Sequence, residues 1–412
     1  MLRILIIGSV WPEPRSSAAG ANMMTFIQLF LQQGWSITFA SAASLSSHME
    51  DLEALGVTLA NIELNSASFD RFVAELKPDV VLFDRFMTEE QYGWRVAEQA
   101  PEALRILDME DLHTLRLARQ QAAKQQRPCT ADDLLGELAF REVAAIYRCD
   151  LTLVISDYEL QLLTEQFAVP TELLHHQPFM LDPAPSSDAL PGFSQRQHFI
   201  AIGNFRHPPN WDSVLWMKQQ IWPIIRQRMP QAELHIYGAY PPPKATQLHN
   251  PKQGFYVKGW AEGALHVMAE ARVCLAPLRF GAGIKGKLAD AMRSGTPSVT
   301  SHIGVEAMQG GLPWGGLVAD SAEEIASAAL QLYHDEALWN QKQSAGFTII
   351  EQFFNRTARS EALLARITHC LDHKAPRRSA NFTGQMLQHH RYKSTQYMSQ
   401  WIAEKQKRVT GG

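Results

Sequence analysis

The chain has 412 residues, of which 46% are hydrophobic and 19% charged, and its formal net charge is −4. This length exceeds what one compact core usually holds, so it predicts two domains. The composition is typical of a soluble globular protein and gives no indication of nucleic-acid binding. The four cysteines are far apart and form no CxxC pair, so they suggest neither a metal site nor a disulfide framework.

The N-terminal apolar run Met1–Gly8 is too short for a signal peptide and predicts a buried first strand. No stretch approaches the roughly 20 apolar residues that a transmembrane helix needs. We therefore expect a cytoplasmic protein.

Strands and helices alternate through the first half of the chain, which predicts a parallel α/β sheet. The predicted strands are Ile4–Ile7, Ser36–Ala40, Lys77–Phe83, Arg105–Leu107 and Cys149–Ile155. A loop over Ser9–Gly20 precedes a predicted helix over Asn22–Gln33, which Gly34 ends. Another helix is predicted to begin near Ser156, with Glu159 completing a capping box.

A stretch rich in proline, serine and aspartate follows His176, and a second alternating series begins after it. Its predicted strands are Phe199–Ile202, Glu233–Tyr237, Tyr256–Val257, Val273–Leu275, Ser298–Thr300 and Leu317–Val318. A helix over Trp211–Arg228 contains Pro223, which predicts a kink.

The most informative segment spans residues 280–300 and combines a glycine loop, two lysines and the start of a helix. Its glycines, which allow close backbone approach to a ligand, are Gly281, Gly283 and Gly286. Lys285 and Lys287 add positive charge where helix N–H groups already attract anions, so a diphosphate is the expected ligand. Asp290, about one helical turn beyond Lys287, offers a carboxylate to ribose hydroxyls.

Residues 276–292, together with Gly295–Pro297 and Ser301–Glu306, resemble the donor-binding signature of GT-B glycosyltransferases. The resemblance is closest to the large retaining class called family 4 or group 1, and it extends to Ile202–Asp212 and Val318–Ile325. It implies an α/β protein with two Rossmann-like domains whose parallel sheets face each other across a cleft.

The expected organisation follows from this resemblance and from the two strand series. We expect a Rossmann-like acceptor-side domain over 1–178, a linker over 179–197 and a nucleotide-sugar-binding domain over 198–350. Residues 351–374 are expected to form a helix that crosses back to the first domain. A basic extension follows over 375–412.

The resemblance also implies roles on the donor side of the cleft. Lys285 and Lys287 would bind the diphosphate, Arg206 would neutralise it as it leaves, and Asp290 would replace the family's ribose-binding Glu. The further residues expected to touch the donor are Gly203, Gly281, Gly283, Gly304 and Glu306. Many relatives carry an additional acid at the position of Ala282, which this chain lacks. Solvated loop charges are the alternative interpretation of the cations.

On the acceptor side, the Ser9–Asn22 loop resembles the family's N-terminal glycine loop. Gly20 matches one glycine of the usual pair, whereas Ala19 replaces the other. Asp111 and His113 follow a strand end that should face the cleft, where His113 could move a proton and Asp111 could orient it or contact the acceptor. A simple helix-entry loop and a structural histidine are the alternatives.

We therefore expect a glycosyltransferase that moves a sugar from a nucleotide-diphosphate sugar to a hydroxyl of a glycan or lipid-linked acceptor. Retention and a place in bacterial-type glycan or glycolipid synthesis are implied by the resemblance alone. No cofactor is expected and, because no DxD motif occurs, no metal. A non-catalytic nucleotide-sugar-binding scaffold and a sugar-nucleotide epimerase remain alternatives.

The extension over 375–412 carries seven basic residues and one acid. One interpretation is a peripheral contact with anionic lipid at the inner membrane face. A solvated extension is a second. A third is a structural brace, in which an apolar face packs on the first domain through Tyr392, Tyr397, Met398, Trp401 and Ile402.

Overall fold

The computed structural model describes residues 1–185 and 189–410, with the side chains of all of these except 390–393 and 408–410. Tyr392 and the basic residues Arg391, Lys393 and Arg408 of the extension thus lie outside the described side chains.

The first half of the chain forms a seven-stranded parallel sheet in the order β3-β2-β1-β4-β5-β6-β7. Its strands are β1 (Arg3–Gly8), β2 (Ser36–Ser41), β3 (Thr58–Asn61), β4 (Val80–Asp84), β5 (Leu104–Asp108), β6 (Leu151–Val154) and β7 (Leu174–His176). The central strands β4 and β5 are buried along their whole length, as expected for a parallel sheet covered on both faces.

Six helices cover this sheet. They are α1 (Ala18–Gln32), α2 (Ser68–Leu76), α3 (Phe86–Gln99), α4 (His113–Lys124), α5 (Glu137–Arg148) and α6 (Asp157–Glu165). Helix α1 begins four residues before the predicted Asn22, because Ser17 caps it by accepting a hydrogen bond from the Gly20 N–H. Gly34, at φ +70°, lies just beyond its end, as predicted.

The second half forms a six-stranded parallel sheet in the order β10-β9-β8-β11-β12-β13. Its strands are β8 (Phe199–Ile202), β9 (Leu234–Tyr237), β10 (Phe255–Gly259), β11 (Val273–Ala276), β12 (Ser298–Thr300) and β13 (Gly316–Val318). Its helices are α7 (Pro208–Trp216), α8 (Trp222–Arg228), α9 (Pro243–Thr246), α10 (Ala264–Glu270), α11 (Gly286–Arg293), α12 (His302–Val305) and α13 (Ala322–His334). A π-helical segment, Met217–Ile221, joins α7 to α8 immediately before Pro223, whose missing N–H disturbs the regular helix there.

Four helices follow: α14 (Glu336–Gln352), α15 (Arg356–Asp372), α16 (Lys374–Ala380) and α17 (Phe382–Thr410). Helix α15 begins separately from α14, because Asn355 caps it by accepting a hydrogen bond from the Ala358 N–H. Leu363, Ile367 and Cys370 of α15 are buried in the core beneath the first sheet.

Helices α16 and α17 dock on the first domain through polar contacts. Arg378 donates to both carboxylate oxygens of Asp150 at 2.7 Å, and Ser399 donates to the Asn65 side chain at 3.0 Å. Of the side chains named for an apolar brace, Tyr397, Met398 and Trp401 are 64, 59 and 60% exposed, so these three do not pack on the first domain. Among the described residues, no helix is both long and apolar enough to span a bilayer.

Candidate functional site

The second domain forms a polar recess where β8 ends and α11 begins. Lys287 lies in the first turn of α11 and donates a hydrogen bond to the Asn210 side chain. Gly203 follows β8, and a Cβ there would lie 2.6 Å from Asn210 Nδ2 and 3.1 Å from Lys287 Nζ. The absence of a side chain at Gly203 therefore leaves the space that the amine and the amide occupy.

Asp290 lies on the same helix one turn further on. Its side chain keeps 36% of its surface accessible, and its one ion-pair partner is Arg293 at 3.7 Å. Burial raises the pKa of the Asp290 carboxyl to about 6, although the positive charge of Arg293 opposes this rise. Burial also lowers the pKa of the Lys287 amine to about 8. The recess thus holds a cation that donates to a neutral amide and an anion whose ion pair is long, so each has room for a ligand of opposite charge or a hydrogen-bond donor.

Lys285 lies only two residues before Lys287 but in a different environment. Its side chain is buried, and Nζ donates to the backbone carbonyls of Gly283 at 2.8 Å and Glu306 at 3.3 Å. Burial lowers the pKa of this amine to about 8 although the Glu306 carboxylate favours its charge. Lys285 thus faces the contact between the two domains, whereas Lys287 faces the recess.

Arg206 lies in the loop after β8 and is exposed. Its guanidinium stacks on the Tyr240 ring, 3.6 Å from the ring centroid. The Tyr240 hydroxyl donates to both carboxylate oxygens of Glu13, at 2.8 and 2.9 Å, in the loop before α1. Arg206 therefore stands at the rim of the cleft, where the two domains meet.

His207, the neighbour of Arg206, belongs to the same region. Its pKa is lowered to about 4 because protein atoms exclude water, although the Asp111 carboxylate of the first domain opposes this. A largely neutral imidazole is therefore expected between Lys287 and the first domain at neutral pH.

The first-domain residues expected at the cleft are already paired. Asp111 forms an ion pair with Arg116; burial would raise the pKa of this carboxyl, but Arg116, His113 and His207 together hold it below its usual value. The His113 Nδ1 atom lies 3.1 Å from the Asp111 carbonyl oxygen and 3.3 Å from Glu142 Oε1. These contacts hold the His113 ring at the start of α4.

Two glycines expected at the site serve close packing. A Cβ on Gly20, in the first turn of α1, would lie 2.5 Å from the Glu13 carbonyl oxygen, so the loop before the helix folds back onto it. Gly20 is thus within the helix instead of in the predicted loop. A Cβ on Gly304, in α12, would lie 1.8 Å from Thr300 Oγ1.

Glu306, expected near the donor sugar, is paired with a first-domain residue that the sequence did not indicate. Arg119 of α4 donates to its two carboxylate oxygens at 2.7 and 2.8 Å, and to the Gly281 carbonyl at 3.0 Å. Glu159 is a second unpredicted contact, because its Oε1 atom accepts from the Gly283 N–H at 2.9 Å. It therefore does not complete the predicted capping box, although Ser156 does cap α6.

No local sequence signal could have revealed these pairs, because each joins residues more than 120 positions apart in the chain. Within the described residues, no group of three or more His, Cys, Asp or Glu side chains is arranged to hold a metal ion. What the site offers is a cation and a carboxylate one turn apart at the N-terminal end of one helix. Such an arrangement suits an anionic ligand.

Comparison with known proteins agrees with this geometry. Residues 196–335 match the family described as Glycosyl transferases group 1. No curated protein matches the chain.

Solved structures are similar over nearly the whole chain. Sucrose-phosphate synthase from Thermosynechococcus elongatus has a TM-score of 0.66 at 16% identity and covers 91% of this chain and 100% of its own. TarM of S. aureus, in a complex with fondaparinux, α-GlcNAc-glycerol and UDP, has a TM-score of 0.68 at 9% identity, with 89% and 99% covered. HepE of Anabaena, in a complex with UDP and glucose, has a TM-score of 0.65 at 12% identity, with 90% and 100% covered.

The fold is therefore GT-B, as predicted, with two Rossmann-like domains. Residues 196–335, which include most of the second domain, match the group 1 glycosyltransferase family, so the resemblance read from residues 276–325 is confirmed.

Proposed function

We propose that the protein transfers a sugar from a nucleotide-diphosphate sugar to an acceptor hydroxyl. The donor binds in the recess of the second domain and the acceptor lies against the first. One observation carries the proposal: Lys287 and Asp290 lie one turn apart at the start of α11, and the missing side chain of Gly203 leaves the space that the Lys287 amine occupies. Structures of the same fold hold UDP with glucose or with a glycan, which supports a nucleotide sugar as donor.

Catalysis in this proposal is mainly electrostatic. Lys287, Arg206 and the N-terminus of α11 stabilise the negative charge that develops as the diphosphate departs. The bond from the anomeric carbon to the diphosphate breaks, and the acceptor oxygen bonds to that carbon on the same face while its proton passes to the leaving phosphate. The configuration is thereby retained without a carboxylate nucleophile. The cations take the role that a metal ion has in other transferases, so we expect metal-independent activity.

The test is a panel of nucleotide-diphosphate sugars incubated with glycan and lipid-linked acceptors. We expect release of nucleoside diphosphate with one donor, in the presence of EDTA, and a product whose anomeric configuration by NMR equals that of the donor. Binding without turnover would instead support the scaffold. An altered nucleotide sugar without transfer would support the epimerase.

We also propose that α17 attaches the protein to an anionic membrane surface, where a lipid-linked acceptor would reside. Its described apolar side chains Phe382, Met386, Tyr397 and Trp401 are 74, 45, 64 and 60% exposed. Lys405 stacks on Trp401, with Nζ 5.1 Å from the ring centroid. Exposed aromatic rings beside lysines are suited to the bilayer interface, where rings insert and amines meet anionic headgroups.

Sedimentation with vesicles of phosphatidylglycerol and phosphatidylcholine tests this attachment. We expect the Trp401→Ser/Lys405→Ser variant to lose most of its binding, and the wild type to bind more weakly at high salt. Leu45→Ser removes an equally exposed apolar side chain, 66% exposed, elsewhere on the first domain and serves as the control. Equal binding by both variants would contradict the attachment.

A further inference from the structure

The donor-side glycine loop, Gly281–Gly283, is held by two charged side chains of the first domain. Arg119 contacts its start through the Gly281 carbonyl at 3.0 Å and holds Glu306 beside it with two hydrogen bonds. Arg119 also packs against the Tyr158 ring, 5.0 Å from its centroid, and its side chain is only 10% exposed. A bidentate pair at this burial fixes orientation as well as distance.

Glu159 holds the other end of the loop. Its Oε1 atom accepts from the Gly283 N–H of the second domain and from the Leu112 N–H of the first domain, each at 2.9 Å. Ser156 donates to its other oxygen at 3.0 Å, and the side chain is fully buried. One carboxylate oxygen thus joins the two domains directly.

The loop residues between these two contacts fit closely against the first domain. Ala282 packs against the hydrophobic core of that domain. Gly283 has φ +62°, and a Cβ there would lie 2.8 Å from the Asp111 Cβ atom. A charged side chain at the position of Ala282 would enter this apolar contact, so alanine suits the fit of the loop to the first domain.

We propose that Arg119 and Glu159 are positioning residues that clamp the Gly281–Gly283 loop to the first domain and thereby set the geometry of the donor site when the cleft is closed. The inference rests on the proposed function and extends it to regulation of the same site. The loop runs directly into Lys285 and Lys287, so its backbone sets the start of α11. Opening the cleft breaks the Arg119–Glu306 pair and both loop hydrogen bonds together, which couples closure to the arrangement of the diphosphate-binding groups.

The experiment compares Arg119→Ala, Arg119→Lys and Glu159→Gln with the wild type in the full-length protein. The matched control is Arg127→Ala, because Arg127 also forms a bidentate pair, with Asp133 at 2.7 and 2.6 Å, but on the exposed surface. Three quantities are measured: the radius of gyration by small-angle X-ray scattering, nucleoside-diphosphate affinity by calorimetry, and kcat and KM for transfer.

For Arg119→Ala we expect a larger radius of gyration and a kcat lower by about 30-fold, because misplaced reacting groups lose most of their rate advantage. We expect diphosphate affinity to fall by less than kcat does, because Lys287 keeps its charge while its position at the start of α11 becomes less fixed. Arg119→Lys should recover part of the kcat, since it keeps the charge but loses the bidentate geometry. Glu159→Gln should keep more of the kcat than Arg119→Ala does, because its amide oxygen can still accept from the Gly283 and Leu112 N–H groups. Arg127→Ala should match the wild type.

An unchanged radius of gyration and kcat in Arg119→Ala would overturn the clamp. So would a kcat that falls only in proportion to the folded fraction, since that is the result of a purely structural role. If the wild type binds no nucleoside diphosphate, the proposed function fails. The scattering comparison then still decides whether Arg119 and Glu159 hold the cleft closed.

Discussion

The two walls of the cleft differ in how their charged side chains are satisfied. On the second-domain wall, Lys287 contacts one neutral amide and Asp290 has a single distant ion-pair partner. On the first-domain wall, Asp111 is paired with Arg116, and His113 lies between Glu142 and the Asp111 backbone. Lys287 and Asp290 are therefore held at an energetic cost, whereas Asp111 and His113 are held by contacts within their own domain.

We expect this difference to separate residues that bind a ligand from residues that hold the shape of the cleft. Burying an incompletely paired charge costs free energy, and a ligand of opposite charge recovers it. A charge that is already paired gains little free energy from a ligand, so removing it should mainly lower the stability of the fold. Substitutions on the second-domain wall should therefore change nucleoside-diphosphate affinity, and substitutions on the first-domain wall should change the melting temperature.

The largest effect is expected for Lys287→Met, which removes the charge from the second-domain wall but keeps the length of the side chain. Nucleoside-diphosphate affinity should fall by about 1.5–3 kcal/mol, the range of a charge-assisted hydrogen bond. The melting temperature without ligand should not fall, because a poorly solvated amine is lost. Calorimetry and thermal unfolding measure both quantities. Lys252→Met, an exposed lysine of the same domain, is the control and should change neither.

The next effect is a dependence of affinity on pH. The pKa of Lys287 is lowered to about 8 in the free protein, and a bound diphosphate should raise it again. Binding above pH 8 must therefore take up a proton, so affinity should fall as pH rises, by up to about tenfold per pH unit. Calorimetry in buffers of different ionisation enthalpy measures this proton uptake. Affinity independent of pH between 8 and 10 would show that the Lys287 amine does not meet the phosphates.

A smaller effect is expected for Asp290→Asn, which keeps the shape of the carboxylate but weakens it as an acceptor. Affinity for ribonucleoside diphosphates should fall by about 0.5–1.5 kcal/mol, the range of an ordinary hydrogen bond. The 2′- and 3′-deoxy forms should bind the wild type more weakly and lose little further affinity in the variant. If the wild type binds deoxy and ribose forms equally, Asp290 does not contact the ribose.

The smallest effect on binding is expected for Arg116→Ala on the first-domain wall. It leaves the Asp111 carboxylate without its main partner, so the melting temperature should fall by about 2–4 °C, corresponding to roughly 1 kcal/mol. Nucleoside-diphosphate affinity should stay within about twofold of the wild type, because no second-domain charge is altered. A large loss of affinity with unchanged stability would place Asp111 among the ligand-binding residues and remove the contrast between the walls.

The sequence predicted the second domain well because its signals are local. Each predicted strand from Phe199 onward is present, since buried apolar runs between turn residues define the strands of a covered parallel sheet. The glycine loop and its two lysines lie within eight residues, so an anion-binding role could be predicted for this segment without a structure. Strand β3 was missed because Thr58–Asn61 is an edge strand with little apolar character.

The first-domain wall was harder to predict because its contacts are remote in sequence. Glu159 fits a capping pattern with Ser156, and that local pattern hides its contact with Gly283. Arg119 is one charge among several on α4, and only the fold brings it to Glu306. The docking of the extension was not predicted for a similar reason, since Arg378 and Ser399 contact residues that are remote in the sequence through polar groups.

The second-domain recess is proposed to bind the diphosphate and ribose of a nucleotide sugar. A crystal structure with the nucleoside diphosphate that binds best in the donor panel tests this binding mode. We expect a phosphate oxygen within hydrogen-bonding distance of Lys287 Nζ and a ribose hydroxyl on the Asp290 carboxylate. A nucleotide bound elsewhere, or bound with its ribose away from Asp290, would contradict it.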